Sequence, residues 1–175
     1  SLVLKLFPPC FLDEYAVEHA VLHELTRAPL PIATPTLVAA RLMGEWGAVL
    51  MSRLPGVSLA AIWPQLDADT QRRLCRELGA ATRALHASAL VIDQRNDWPA
   101  FAAAQRAQAV QRQASLGLAP PWLDQLDEFL DANPLPSQGS QLLHTELMRE
   151  HLLVTEERGE WRISGLFDFE PARHG

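Results

Sequence analysis

The chain has 175 residues, is 48% hydrophobic and 21% charged, and carries a net charge of −6. This suits a globular protein that can bury a sizeable core, in one large domain or two small lobes. An acidic balance without a basic cluster argues against nucleic acid and weakly favours a cationic substrate.

No apolar stretch approaches the ~20 residues of a membrane span, and no signal peptide is visible. Two cysteines, Cys10 and Cys75, suggest no disulfide framework and fit a reducing cytoplasm.

Leu2-Val3-Leu4-Lys5-Leu6-Phe7 is an apolar run with one charge inside it. It reads as a strand ended by Pro8-Pro9. A lysine there lies on a solvated edge or reaches a partner, and composition alone favours the edge. Leu12–Arg27 reads as a helix with Leu12, Ala16, Ala20, Leu22 and Leu25 on its apolar face. Glu14 and Glu18 share a face, from which a glutamate could meet Lys5. Pro29, Pro31 and Pro35 impose extended chain. Thr36–Met43 and Trp46–Arg53 form a hairpin around Gly44-Glu45, and Pro55-Gly56 is a turn.

From Asp67 the pattern becomes helical. Asp67 or Asp69 can cap the first turn. Leu74, Leu78, Ala81 and Leu85 make an amphipathic stripe that ends at a packed His86. Trp98–Leu116 is alanine- and glutamine-rich, helical, and closed by Gly117. Pro120-Pro121 open a further helix, whose expected core face is Trp122, Leu123, Leu126, Phe129 and Leu130. Asn133-Pro134-Leu135-Pro136-Ser137-Gln138-Gly139 is loop.

Leu142–Glu170 carries the chemistry. Leu142–Leu143, Leu152–Thr155 and Trp161–Phe167 read as strands, the last two a hairpin around Glu156–Glu160. His144, Glu146, Arg149, Glu150 and His151 crowd the space between the first two, and Asp168 ends the third. Ionisable groups packed among core residues cost free energy unless compensated, and site chemistry is the usual reason. Antiparallel strands can bring Glu146 and Asp168 together, where one carboxylate takes a proton and another holds a hard cation. The plain alternative pairs them with Arg149 and Arg173. Solvated charge is the expected state of Arg149, Glu150, Arg173 and His174.

These residues resemble the kinase-like small-molecule phosphotransferases, the group of aminoglycoside and choline kinases. That family's catalytic loop runs His-Gly-Asp-Leu-x-x-x-Asn before an apolar strand. Here His144-Thr145-Glu146-Leu147-Met148-Arg149-Glu150-His151 precedes Leu152-Leu153-Val154. Its metal motif, Asp-Phe/Trp-Glu/Asp after an apolar strand, is similar to Gly165-Leu166-Phe167-Asp168-Phe169-Glu170. Val3-Leu4-Lys5 looks like the strand whose lysine contacts nucleotide phosphates, and Glu18 like the helix glutamate that orients it. Leu50–Leu54 with Pro55-Gly56 looks like the hinge, and Leu85-His86 like the family's Leu-His at a helix end.

The resemblance implies an α+β, protein-kinase-like fold of two lobes: a β-rich lobe over 1–54 and a mostly helical lobe over 55–175, with the catalytic hairpin at 142–170. It implies transfer of the ATP γ-phosphate to a hydroxyl of a small molecule. Lys5 and Glu18 would hold the phosphates, and backbone at Met51, Ser52, Arg53 and Leu54 would meet adenine. Asp168 would hold Mg²⁺, with His151 a second ligand, and Glu146 would accept or orient the acceptor hydroxyl. His144 would brace the loop.

Three departures accompany it. Glu146 replaces aspartate, which moves the carboxylate on the order of an ångström. His151 replaces asparagine, although imidazole suits zinc, copper, iron or nickel better than magnesium. No glycine-rich loop precedes Lys5. Both ends read as cut through structure, so a segment of a larger fold is expected. A pseudokinase that binds nucleotide or a partner without turnover is the alternative. A two-histidine, one-carboxylate metal enzyme built on His144, Glu146 and His151 is the remote one.

Overall fold

The computed structural model describes residues 1–95, 97–134 and 141–175; the predicted loop lies outside them from residue 135 onward. The first apolar run forms β1 (Leu2–Phe7), and the predicted hairpin forms β2 (Leu37–Met43) and β3 (Trp46–Ser52). They make an antiparallel sheet in the order β1-β3-β2, with Leu2 opposite Ser52 and Lys5 opposite Val49. Strand alternation puts Lys5 and Phe7 on one face of β1. Leu2, Leu4 and Leu6 point the other way and are exposed.

Helix α1 (Leu12–Leu25) covers the inner face of this sheet. Its buried residues are Val17, Glu18, Val21, Leu22 and Leu25. The buried face is therefore turned by about one residue from the expected Leu12-Ala16-Ala20 column. The larger valine and leucine side chains bury more apolar area than the alanines, and that rotation carries Glu18 into the core. Gly47 on β3 permits the close approach: a Cβ there would sit 2.5 Å from the Tyr15 ring.

Beyond β3 the chain turns at Gly56 (φ +115), where a Cβ would lie 2.6 Å from the Val154 carbonyl oxygen. Only glycine avoids both the strain and the clash. Strand β4 (Val57–Ser58) and helix α2 (Leu59–Ile62) follow. Helix α3 (Ala68–Ala87) starts at Asp67, whose carboxylate accepts the Asp69 and Thr70 N–H groups at 2.9 and 2.8 Å. Its stripe is buried at Leu74, Ala81 and Leu85, as the spacing predicts.

Helices α4 (Trp98–Ser115) and α5 (Pro120–Ala132) bury no residue completely. Trp122 and Phe129 are 64% and 61% exposed, so the expected core face of α5 is reduced to half-buried Leu123, Leu126 and Leu130. Periodicity marks a potential face, and α5 has α4 rather than a sheet to cover it.

Strand β5 (Leu142–Leu143) pairs with β8 (Arg173–His174), while β6 (Leu152–Glu157) and β7 (Glu160–Leu166) form a hairpin closed by Arg158-Gly159. The turn is thus shorter than the predicted Glu156–Glu160. The second sheet has the order β4-β6-β7. Helix α3 lies along β7, where Glu77 accepts the Ile163 N–H at 3.1 Å and Arg73 donates to the Trp161 carbonyl at 2.7 Å. One continuous hydrophobic cluster joins the two three-stranded sheets, running from Val17, Leu22 and Val49 through Leu74 and Leu85 to Leu152, Leu166 and Phe169.

Candidate active site

The open end of the β6–β7 hairpin positions the loop residues. Leu152 faces Leu166 in the register, and one step outward the Phe167 N–H donates to the His151 carbonyl at 3.2 Å. This sets His151 beside the segment that begins at Asp168. There the chain leaves the sheet with Asp168 at φ +70, a conformation aspartate tolerates better than most residues. His151 Nε2 lies 3.2 Å from Asp168 Oδ2, and His151 Nδ1 lies 4.0 Å from Glu146 Oε2.

The preceding loop is held by backbone acceptors. The Glu146 carbonyl accepts from the Met148 N–H at 2.8 Å and bonds His151 Nδ1 at 2.9 Å. His144 is buried, and its Nε2 meets the Phe167 carbonyl at 3.0 Å while the Glu146 N–H reaches its Nδ1 at 3.4 Å. A carbonyl can only accept, so that pattern assigns the proton to Nε2. Burial lowers the His144 pKa and favours this neutral ring. The ring packs 4.7 Å from that of fully buried Phe169. With both nitrogens engaged by backbone, His144 offers no lone pair to a metal, which removes the two-histidine, one-carboxylate reading.

Across the cleft, Lys5 is three-quarters buried rather than on a solvated edge. Its ammonium contacts Asp168 Oδ1 and lies 2.7 Å from Glu170 Oε2 and 3.4 Å from Glu18 Oε2. Burial alone would lower its pKa, but the three carboxylates outweigh it and hold the ammonium above the ordinary lysine value. Glu18 is pushed up to about 7, chiefly by burial, with Lys5 opposing. Its Oε1 is buried with no hydrogen-bond partner among the described residues.

Three carboxylates around one ammonium leave a surplus of negative charge. Oxygens of Glu18, Asp168 and Glu170 lie within 4.8 Å of one another. Hard oxygens at that spacing fit a divalent cation such as Mg²⁺; the His151 imidazole does not fit that ion.

Beside Lys5 opens a cavity of about 380 Å³, within the size range of small-molecule sites. Its walls include Val3, Met51, Leu54, Leu153 and Phe167, and it also reaches Ser52, Arg53, Glu18 and Asp168. The Ser52 and Arg53 N–H groups donate to Thr36 and Ser1 carbonyls at 2.9 and 3.2 Å. The Leu54 N–H has no such acceptor among the described residues.

The structure thus links Lys5, Glu18, Glu146, His151 and Asp168 by contacts of 4.0 Å or less. Other residues went unread. Thr145 has φ +66, a costly state for a β-branched residue, and its hydroxyl bonds the Pro171 carbonyl at 2.9 Å. Its signal was present, since it stands at the glycine of the family loop. Arg95 joins Glu14 of α1 (3.1 Å) to the Glu170 carbonyl (2.8 Å); no local pattern announces so distant a brace. His174 and Arg173, expected as solvated charges, are not. His174 is buried and accepts the Ile92 N–H at 3.1 Å, and the Arg173 guanidinium lies 3.4 Å from the Phe101 ring centre. Arg149 lies over Trp63.

Solved structures share this arrangement of elements. A point mutant of aminoglycoside 2′-phosphotransferase IIIa with GDP superposes with a TM-score of 0.71 at 19% identity, over 93% of this chain and 57% of that one. The streptomycin–ATP ternary complex of APH(2″)-IIa gives 0.66 at 14%, over 99% and 61%. The aminoglycoside phosphotransferase APH(3″)-Id of Streptomyces rimosus, with ADP and streptomycin, gives 0.59 at 15%, over 99% and 66%. The chain therefore has the protein-kinase-like α+β fold of these enzymes, and it spans less than two thirds of the length of each of the three. Comparison with curated protein sequences gives no match. A model of the phosphotransferase enzyme family matches residues 1–175. The chain belongs to that family. Among the described residues no helix is long and apolar enough to cross a membrane.

Proposed function

We propose that this chain carries the nucleotide- and metal-binding parts of an ATP-dependent phosphotransferase that acts on a hydroxyl of a small molecule. The observation that carries the reading is the Lys5 ammonium, held by Glu18 and touching Asp168 and Glu170 at the mouth of the cavity. The division into a lobe over 1–54 and a lobe over 55–175 belongs to this reading, with the hinge at Leu54.

The apolar walls Val3, Met51, Leu54 and Phe167 would sandwich a purine. The free Leu54 N–H would bond its ring edge, beside Met51, Ser52 and Arg53. Lys5 would exchange part of its carboxylate contacts for phosphate oxygens. Asp168 would hold the divalent cation of the nucleotide, Mg²⁺ by resemblance; the resemblance puts His151 at the position of the second ligand, where its imidazole suits Mg²⁺ poorly. When bound, that ion neutralises charge on the phosphates. Glu146, half-exposed at the loop, would take the acceptor hydroxyl proton. The acceptor oxygen then bonds to the γ-phosphorus, and the bond from that phosphorus to the β–γ bridging oxygen breaks. Position and charge supply most of the rate.

Similar structures hold streptomycin or gentamicin, which motivates hydroxylated cationic acceptors. The acidic balance of the chain suits them. The test is ATP consumption against a panel of aminoglycosides and uncharged polyols. Acceptor-dependent ADP release with a matching phosphorylated product supports the reading. ATP turnover that no acceptor stimulates, with no product, defeats it.

A further inference from the structure

We propose that Glu146, His151 and Asp168 form a site for a borderline transition-metal ion of the Co²⁺–Zn²⁺ class, bound through His151 Nε2, and that such an ion replaces Mg²⁺ as the cation of this cleft. The role toward nucleotide rests on the phosphotransferase reading; the site itself does not.

The hydrogen bonds of His151 carry the argument. Its Nδ1 lies 2.9 Å from the Glu146 carbonyl oxygen. That oxygen only accepts, so Nδ1 bears the proton. In the neutral ring Nε2 is then a bare lone pair, and it faces Asp168 Oδ2 at 3.2 Å. Two acceptors pointing at one another require a cation between or beside them: a second proton on the ring, or a metal ion. The metal satisfies the local design better. A ligating histidine ordinarily donates its other N–H to a backbone carbonyl or carboxylate, which fixes the ring and raises the basicity of the free nitrogen. His151 has that arrangement.

The surrounding groups agree. One donor atom from each of Glu146, His151 and Asp168 lies within 4.8 Å of the others; the Glu146 carboxylate lies 4.0 Å from Nδ1 and is about half exposed, so it would turn toward the Nε2 side to join the ion. Asp168 divides its oxygens, giving Oδ1 to Lys5 and leaving Oδ2 toward His151. Thus the lysine and a metal would not compete for one atom. His144, the remaining imidazole nearby, has both nitrogens on backbone partners, so the nitrogen count at the ion is one. One imidazole with two carboxylates is a mixed donor set that Co²⁺ and Zn²⁺ accept readily, whereas Mg²⁺ favours oxygen.

The experiment titrates the full chain with Co²⁺ and with Mg²⁺, by calorimetry and visible absorption, and records X-ray absorption at the cobalt edge of the wild-type protein. The expected result is a site that binds Co²⁺ with outer-shell scattering from one imidazole. His151→Asn should weaken Co²⁺ about tenfold or more while moving Mg²⁺ affinity much less. An all-oxygen cobalt shell, or equal Co²⁺ affinity in wild type and His151→Asn, overturns the proposal and assigns His151 to an imidazolium–carboxylate pair. The wild-type spectrum decides the ligation even if the variant folds poorly. ATP binding in the same series separates the two readings. Mg·ATP binding alongside an all-oxygen cobalt shell defeats the metal site and leaves the phosphotransferase. Cobalt on His151 without nucleotide binding under any ion does the reverse.

Discussion

Lys5 and Glu146 stand on opposite banks of one cleft, in different surroundings. On the Lys5 bank the charges are sunk into the core: Glu18 is 1% exposed and the lysine meets three carboxylates. On the Glu146 bank the carboxylate is about half exposed, and the loop is fixed by its backbone and by two histidines. The Lys5 bank keeps every residue type of the family pattern, whereas the loop changes three: Thr145, Glu146 and His151. A charge locked by burial and several partners cannot be exchanged cheaply. A loop set by main-chain bonds can accept new side chains while holding its course.

That contrast is broken most severely at Asp168, which touches both banks. Asp168→Ala should lower phosphotransfer by about 10³-fold or more, since it removes both the cation ligand and a partner of Lys5. Steady-state kinetics with a responding acceptor will show it; turnover within a few fold of wild type would mean that Asp168 does not hold the catalytic cation. The loop bank also depends on what lies beneath it. Phe169 is fully buried under His144, so Phe169→Ala should cost about 3–5 kcal/mol in denaturant unfolding.

The Lys5 bank has a pH signature. Glu18 titrates at about 7 in the fold against an ordinary 4.5. A raised carboxyl contributes stability that is complete below about 4.5 and lost as pH rises through about 7. Relative to wild type, Glu18→Gln should therefore gain stability across that window, by at most about 3 kcal/mol. Chemical denaturation at pH 4.5 and 8 measures it, and a difference that stays constant would place the ionised carboxylate in the core. Buried His144 works in the opposite direction, losing its contribution as pH falls below its ordinary 6.5; comparing the two proteins at each pH cancels it. The smallest effect lies away from both banks. Phe129→Ser on exposed α5 should change stability by under about 0.5 kcal/mol in thermal melts.

Much of the fold was legible because its signals are local. The β2–β3 hairpin, the Asp67 cap and the Leu74–Leu85 stripe each follow from neighbouring residues. So does the way the β6–β7 hairpin brings His151 to Asp168. Errors arose where a face needed a partner from elsewhere. Trp122 and Phe129 have apolar spacing but no sheet to cover them. Val17 and Val21 displaced the expected alanines because larger side chains win the core. Lys5 and His174 left the solvent for partners far away in sequence, at Asp168 and Ile92. In the site, Lys5, Glu18, Glu146, His151 and Asp168 came from the family likeness as much as from chemistry. Arg95 had no local signal at all.

The most direct test of the account is nucleotide binding at the Lys5 bank. Calorimetric titration of the full chain with ATP, in the presence of Mg²⁺, Mn²⁺ or Co²⁺, should give saturable, metal-dependent binding. Lys5→Ala should weaken it about 10- to 100-fold, the loss of a charge-assisted phosphate contact. Absence of binding with every ion, or an affinity indifferent to Lys5, would contradict the account.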